Sequence, residues 1–173
     1  EAGYNPALRP KFLVMDAPRP YLPRPVLAAR MIQRDLAAIG MQVDLRILPF
    51  AEQKRLLGLG QHHLGLIGWS GDNGDPDNFL YTLLDSDNAV YGNSLNFAFY
   101  KEYKFHKLVV AARESLVSAE RVRYYQEAQK IVARTVPWVP LAHAKVTIAL
   151  RREVKGFKVH PTSMLFLQTV GLR

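Results

Sequence analysis

The order of apolar segments between Lys11 and Trp69 constrains the fold of this chain more than any other feature. Lys11-Phe12-Leu13-Val14-Met15 is an apolar run of strand length and reads as a buried strand. Four prolines, at 18, 20, 23 and 25, then forbid helix through Asp16–Pro25 and predict a stiff, extended loop. Pro25 is placed to open a helix in which Leu27, Met31, Ile32, Leu36 and Ile39 recur at helical spacing, with Gly40 as its stop. Val43, Leu45 and Ile47 alternate with Asp44 and Arg46, the pattern of a half-buried strand. A short helix over 51–57 ends at Gly58, and Leu64-Gly65-Leu66-Ile67-Gly68-Trp69 is a further apolar run bounded by turn residues. Strand, helix, strand, helix, strand in that order predicts an α/β fold with a mixed, mostly parallel sheet flanked by helices.

The last of these strands delivers the chain into a turn crowded with acids, Asp72, Asp75 and Asp77. Asp75 suits the N-cap of a helix whose first position is Pro76. A strand end beside a helix start is where open α/β sheets place ligands. A calcium loop does not fit, because the sixth residue from Asp72 is Asp77 where glycine is required, and the twelfth is Leu83 where glutamate is required. Capping and turn roles account for Asp75 and Asp77. Asp72 lies too early to cap the same helix and stands as the candidate for a ligand contact.

Further helices are predicted over 76–84, over 103–115 with Phe105, Leu108, Val109 and Ala112 on one face, and from Ser118 as cap to Pro137 as terminator. The second of that pair carries Val122, Tyr125, Ala128, Gln129 and Val132 at helical spacing. Trp138 to Leu150 reads as an extended segment, and Phe157 to Gly171 as further β-prone stretches. No linker or internal repeat divides the 173 residues, about one domain by length.

Composition narrows the chemistry. The chain has no cysteine, which removes disulfides, thiolate metal sites and a cysteine nucleophile. No Gly-x-Ser-x-Gly elbow surrounds Ser70, no phosphate-binding glycine loop ends in Lys-Ser/Thr, and no catalytic triad is evident. The expectation is a protein that is not an enzyme and has no cofactor. Adjacent His62 and His63 would point to opposite sides of a strand, and His106, His143 and His160 are isolated, so no metal site is expected. A net charge of +8 admits an anionic partner, yet the basic residues are dispersed and no nucleic-acid-binding motif accompanies them. A solvated basic face is the expected meaning, with no nucleic-acid partner.

Gly68-Trp69-Ser70-Gly71-Asp72-Asn73-Gly74-Asp75-Pro76-Asp77-Asn78-Phe79 resembles the signature of the dipeptide-binding proteins that serve bacterial ABC importers, extracellular solute-binding protein family 5. Arg19-Pro20-Tyr21, Ala128-Gln129-Lys130-Ile131-Val132, Pro137 to Pro140 and Arg152-Glu153-Val154-Lys155-Gly156-Phe157 follow the family's order, so the resemblance spans essentially the whole chain. It implies a lobe of the type II periplasmic-binding-protein class. It further implies that residues 1–173 correspond to the C-terminal lobe of a two-lobed receptor whose N-terminal lobe is absent, and Glu1-Ala2-Gly3-Tyr4 reads as an internal helix end with its glycine stop.

The resemblance also implies a function: an extracytoplasmic or periplasmic receptor that takes a short peptide between two lobes and hands it to ABC permease subunits in the membrane. Another peptide-like or amphipathic solute (glutathione, haem or a metal chelate) and a stand-alone interaction domain are the alternatives. A dipeptide in water is a zwitterion, and enclosing it calls for one opposite charge at each end. In the family's arrangement Asp72 meets the ammonium, and Arg19 meets the carboxylate through paired N–H donors. Tyr21 and Trp69 would be pocket walls, with Ser70 and Gly71 acting through backbone groups. Taken without the resemblance, Arg19 reads first as a solvated loop arginine, and for Trp69 core packing competes with the pocket wall. Half of a two-lobed receptor would expose the wall its partner lobe covers, so self-association through the Trp69 and Tyr21 face is expected.

Overall fold

The computed structural model describes residues 4–143, 145, 147–162 and 164–173. Glu1, Ala2 and Gly3, on which the expected helix end rests, lie outside the described residues.

The apolar run at Lys11–Met15 forms β1, with Phe12, Leu13, Val14 and Met15 all buried. It is the middle strand of a three-stranded sheet. On one side it pairs in parallel with β2 (Asp44–Leu48), Phe12 opposite Leu45 and Val14 opposite Ile47. On the other it pairs in parallel with β3 (Leu64–Leu66), Phe12 opposite Leu64 and Val14 opposite Leu66. The strand order β2-β1-β3 needs a crossover after each strand, supplied by α1 (Pro25–Ala38) and α2 (Phe50–Gly58). Parallel strands cannot be joined by tight turns, so the predicted alternation and the observed sheet agree for a geometric reason.

In α1 the packing face differs from the one predicted. Leu27, Met31 and Ile39 are exposed, whereas Pro25 and Ala29 are buried and Ile32 and Leu36 pack on the cluster of Phe12, Val14, Val43 and Leu66. Spacings of four, three and four select Pro25, Ala29, Ile32 and Leu36. The small Ala29 lets the helix approach the sheet closely, and a large side chain there would hold it off.

The predicted strand at 64–69 is shorter than its apolar run. Pairing stops at Leu66, and Gln53 of α2 marks the end: its amide nitrogen donates to the carbonyls of Leu66 (2.9 Å) and Leu13 (3.3 Å). Gln53 is fully buried, and its own Oε1 has no protein partner. A single amide thus ties the middle of β1 to the end of β3, where Ile67–Ser70 leave the sheet.

Downstream, α3 (Asp77–Leu84) runs into a single 3-10 turn at Ser86–Asn88, followed by α4 (Tyr103–Glu114) and α5 (Ser118–Thr135). Phe105 and Val109 of α4 meet Ala128 and Ile131 of α5 over Leu84, forming a second core. Val122 and Gln129, expected on that face, are exposed. Ser118 is the first helical residue and does not cap. The cap is Val117, and Ser115 instead accepts the Val117 N–H and donates to Glu120. Pro137 does close the helix, with Val136 in the left-handed conformation (φ 48°) just before it.

Among the described residues of 138–150 there is no strand, and Val139, Leu141, Ile148 and Leu150 are exposed. The later β-prone stretch yields only a two-residue antiparallel pair, β4 (Val154–Lys155) and β5 (Gly171–Leu172). Backbone that joins no sheet stays in water, as the exposure of Val139, Leu141, Ile148 and Leu150 shows. No helix among the described residues is long and apolar enough to cross a membrane.

Gln53→Met preserves the volume of the side chain and removes both hydrogen bonds. Leaving buried carbonyls without a donor should cost about 1–3 kcal/mol, read as a lower urea midpoint at unchanged slope. An unchanged midpoint would show that the two strands hold their ends without this amide.

Candidate binding site at the ends of two adjacent strands

Two loops leave the carboxyl ends of β1 and β3 and face each other across a cleft of about 390 Å³. The first is the proline-rich loop. Its prolines restrict the backbone, but the chain is not extended throughout: Arg19 and Leu22 exchange both backbone hydrogen bonds (3.1 and 2.9 Å) around Pro20-Tyr21. That tight turn presents Arg19, Pro20 and Tyr21 to the cleft. The second loop brings Ile67, Gly68, Trp69, Ser70 and Asp72. Phe50 and Lys54 of α2, with Phe97, complete the lining.

Of the six residues singled out in the sequence, five therefore meet in one cleft: Arg19, Tyr21, Trp69, Ser70 and Asp72. Gly71 does not line it. It lies against the ring of Phe79, where an added Cβ would come within 2.9 Å of Cε2. Its role is to let the signature loop sit down on α3. Gly68 is the glycine that shapes the cleft, because the Tyr21 ring occupies the space that any side chain at 68 would need. Phe50, Lys54 and Phe97 carry no local motif, and only the folded crossover brings them here.

Arg19 has an unusual environment. Its guanidinium lies over the Phe50 ring, 3.9 Å from the centroid, while its Nε is buried with no hydrogen-bond partner. No carboxylate among the described residues lies within ion-pair distance of it. The aromatic face attracts the cation without neutralising it, so the charge stays available. Burial pushes the pKa of the neighbouring Tyr21 hydroxyl up, against the opposing pull of Arg19, and keeps it a neutral donor.

Asp72 is exposed and is held by Asn78, a residue to which sequence reasoning gave no role. The Asn78 Oδ1 accepts from the Trp69 indole N–H (2.7 Å) and from the Asp72 backbone N–H (3.2 Å), and its amide nitrogen donates to the Asp72 carboxylate (3.4 Å). One side chain in the first turn of α3 thus orients both the aromatic wall and the acid. Asparagine is a poor helix former in that position unless it bonds locally, and that was the available signal.

Behind the loop, Asp75 does what its position predicts and more. Pro76 has helical dihedrals (φ −57°, ψ −23°) and the Asp75 carboxylate accepts the Asp77 N–H at 3.0 Å. The same carboxylate pairs with Arg121 and accepts from the Tyr125 hydroxyl (3.3 Å), both on α5. Arg121 also donates to the Ala112 carbonyl at the end of α4. Asp77 pairs with Arg113 (3.4 Å), whose guanidinium lies 3.8 Å over the Tyr81 ring. The small cleft of about 230 Å³ among Asn73, Asp75, Asp77, Arg113 and Arg121 is thus filled with mutually satisfied charges. It anchors the loop and offers little to a ligand. Burial, and next the Asp75 carboxylate, push the Tyr125 hydroxyl up to about 12.

The histidines divide. His63 accepts the Lys11 N–H at 3.0 Å, and His160 bonds to Thr162. His106, isolated in the sequence, is not isolated in space: its Nδ1 lies 3.1 Å from both carboxylate oxygens of the buried Asp85. The fold makes this contact by packing α4 beside the end of α3, which spacing alone does not reveal.

With this geometry in place, comparison with known proteins is decisive. Residues 1–91 match the family described as bacterial extracellular solute-binding proteins, family 5, middle region. The chain belongs to that family. It is 39% identical to Di/tripeptide-binding protein 4 of Pseudomonas aeruginosa over 94% of its own length and 30% of the relative's. It is 37% identical to Heme-binding protein A of Haemophilus influenzae over 93% of its length and 29% of that protein's. In structure it matches the periplasmic binding protein DppA of Helicobacter pylori in complex with peptide STSA, with a TM-score of 0.78 and 30% identity, covering 99% of this chain and 32% of that one. The fold is that of a type II periplasmic binding protein lobe, and the chain spans about a third of the length of these relatives.

Two measurements follow. Asn78→Ala leaves helix propensity intact or better, so any loss is that of the hydrogen bonds, about 1–2 kcal/mol. In a Trp138→Phe background, which isolates Trp69, its emission should shift to the red. An unmoved spectrum would mean Asn78 does not hold the indole. Separately, the raised Tyr125 pKa favours the protonated form in the folded state. Its contribution is therefore complete below the unfolded value near 10 and is lost as pH rises through about 12. Stability should fall over that window, and less so in Tyr125→Phe.

Proposed function

We propose that this chain is the C-terminal lobe of an extracytoplasmic receptor that binds dipeptides or short oligopeptides between two lobes and presents them to the permease subunits of an ABC importer. The observation that carries this reading is the pairing of opposite, uncompensated charges in one apolar-walled cleft. Arg19 has no acidic partner among the described residues, and Asp72 is exposed and fixed by Asn78. A zwitterion offers the complement to both. Tyr21, Trp69 and Phe50 give the apolar area between, and Gly68 and Ser70 leave backbone groups within reach. Lys54, on the same cleft, adds a second cation toward the carboxylate end. In this reading no chemical step is required.

In this reading the rest of the relatives' length supplies the opposing lobe, and family membership accords with a periplasmic or extracytoplasmic setting. Haem is the second reading, favoured by the likeness to Heme-binding protein A. Titration with haemin, read by its absorbance, against titration with a free dipeptide, read by calorimetry, separates the two.

The test belongs in a protein carrying both lobes. Breaking an enclosed ion pair from one side costs about 3–5 kcal/mol, so Asp72→Asn should weaken binding of a free dipeptide by about two to three decades. Arg19→Lys should lose less, since charge survives and the paired donor geometry does not. The N-acetylated dipeptide lacks the ammonium: it should bind the wild type poorly and lose little more in Asp72→Asn. Equal loss for both ligands would make Asp72 a turn residue only. The 173-residue chain by itself should bind peptides weakly and self-associate, as sedimentation velocity would show. Sub-micromolar peptide affinity in a monomer would contradict the shared pocket.

A further inference from the structure

Among the described residues, Asp85, Asp87 and His106 bring a ligand atom each within 4.8 Å of one another, on the far side of α3 from the cleft's signature loop in sequence and sharing no residue with the cleft. Asp85 is wholly buried, and both its carboxylate oxygens lie 3.1 Å from His106 Nδ1. Oδ1 of Asp87 lies 4.0 Å from the same nitrogen. No lysine or arginine among the described residues pairs with either acid. The His106 imidazole is the side chain that meets the Asp85 carboxylate, which lies entirely out of water. Buried charge of that kind is paired or coordinates a metal.

From this arrangement we propose that Asp85, Asp87 and His106 form a site for a divalent first-row transition ion of the zinc class. Two ligands about 2.1 Å from a shared ion and about 90–110° apart are about 3.0–3.4 Å from each other. The Asp85–His106 separation falls in that interval. Asp87 Oδ1, 4.0 Å from the imidazole nitrogen, must move closer to join, and its exposed side chain has room to do so.

The surroundings orient the donors. The Tyr81 hydroxyl donates to Oδ2 of Asp87 (3.0 Å) and leaves Oδ1 facing the imidazole. The Asp87 N–H donates to Oδ1 of Asp85 (2.9 Å), leaving Oδ2 with the imidazole as its protein partner. Outer contacts of this sort fix ligand orientation. His106 is partly exposed and Asp87 exposed, and together they give the ion a route from solvent. Open positions on the solvent side would be filled by water. One imidazole with two carboxylates suits zinc, manganese or iron better than calcium, which prefers oxygen ligands alone. The ion would join the end of α3 to α4, so its effect is on the helical half of the domain.

The probe is zinc chloride, added to the chain after chelator treatment and followed by calorimetry, with calcium chloride as the comparison. One equivalent of zinc should bind and raise the melting temperature, with calcium far weaker. The 15N resonance of His106 Nδ1 should shift on zinc addition, which separates this site from metal bound at His63, His143 or His160. Asp87→Asn and His106→Gln, neither at a buried position, should each weaken zinc binding by more than about tenfold, the loss that even an outer contact can cause. Asp85→Asn is the less informative variant, since it also removes a buried cap. Zinc binding left intact by both variants, zinc no tighter than calcium, or no shift at Nδ1 would each overturn the site and leave an ordinary buried Asp–His hydrogen bond.

Discussion

The whole arrangement depends on β1 being buried on both faces and paired on both edges. Four consecutive buried residues, Phe12 to Met15, can be covered only if strands lie on either side and helices above and below. From β1 the chain goes through α1 to β2 on one edge, then through α2 back across to β3 on the other. At the carboxyl ends the connections after β1 and β3 therefore diverge, and a crevice opens between them. Ligands of open parallel sheets sit at such a point. The cleft with Arg19 and Tyr21 on one wall and Trp69 and Asp72 on the other is a direct consequence of that winding.

A crevice alone would be lined by loose loops, and here each loop is tied down by a different device. Proline stiffness and the Arg19–Leu22 backbone pair hold the first. The second is held from two directions: Asn78 grips Trp69 and Asp72 from the front, and Arg121 and Tyr125 grip Asp75 from behind. The rear contacts come from α5, so the helical half of the domain sets where the front of the loop sits. Asp75 needs three roles at once, which explains why an acid is favoured there over a neutral capping residue: Asn or Ser would cap Asp77, but neither would hold a guanidinium with comparable strength.

Much of this was legible in the sequence, and the limits have physical causes. The strand and helix order was readable because the period of hydrophobicity differs between the two and because prolines and glycines punctuate the joins. The α1 face was misread because Leu27 and Met31 outweigh Ala29 in hydrophobicity, whereas close packing favours the smaller residue. The run at 64–69 was read as strand to its end because nothing local shows that Gln53, from another element, caps the pairing at Leu66. In the site, Arg19, Tyr21, Trp69, Ser70 and Asp72 were found through a family pattern. Phe50, Lys54 and Phe97 were not, since they reach the cleft only through tertiary packing. Gly71, expected in the cleft, lies against Phe79 instead, because close approach to a side chain and approach to a ligand demand glycine equally.

The energetics of the cleft accord with the proposal that a second lobe covers it. Arg19 is partly buried on Phe50 and Asp72 is open to solvent, so neither charge is fully withdrawn from water in this chain. An ion pair at 4 Å in water is worth about 1 kcal/mol, and at an effective dielectric constant of 20 about 4. Under the proposed function, contacts to peptide termini would therefore be weak on an open wall and become strong only when a covering surface excludes water. The stacked arginine fits such a device. The aromatic face holds the guanidinium in place before the ligand arrives, limiting the ordering cost at the moment of binding, and leaves its outer N–H donors unspent. Stiff loops, a prepositioned acid and a stacked but unneutralised arginine make a wall whose geometry is set within this chain. In the proposed receptor, closure would mainly displace water, and discrimination between free and blocked termini would arise at that step.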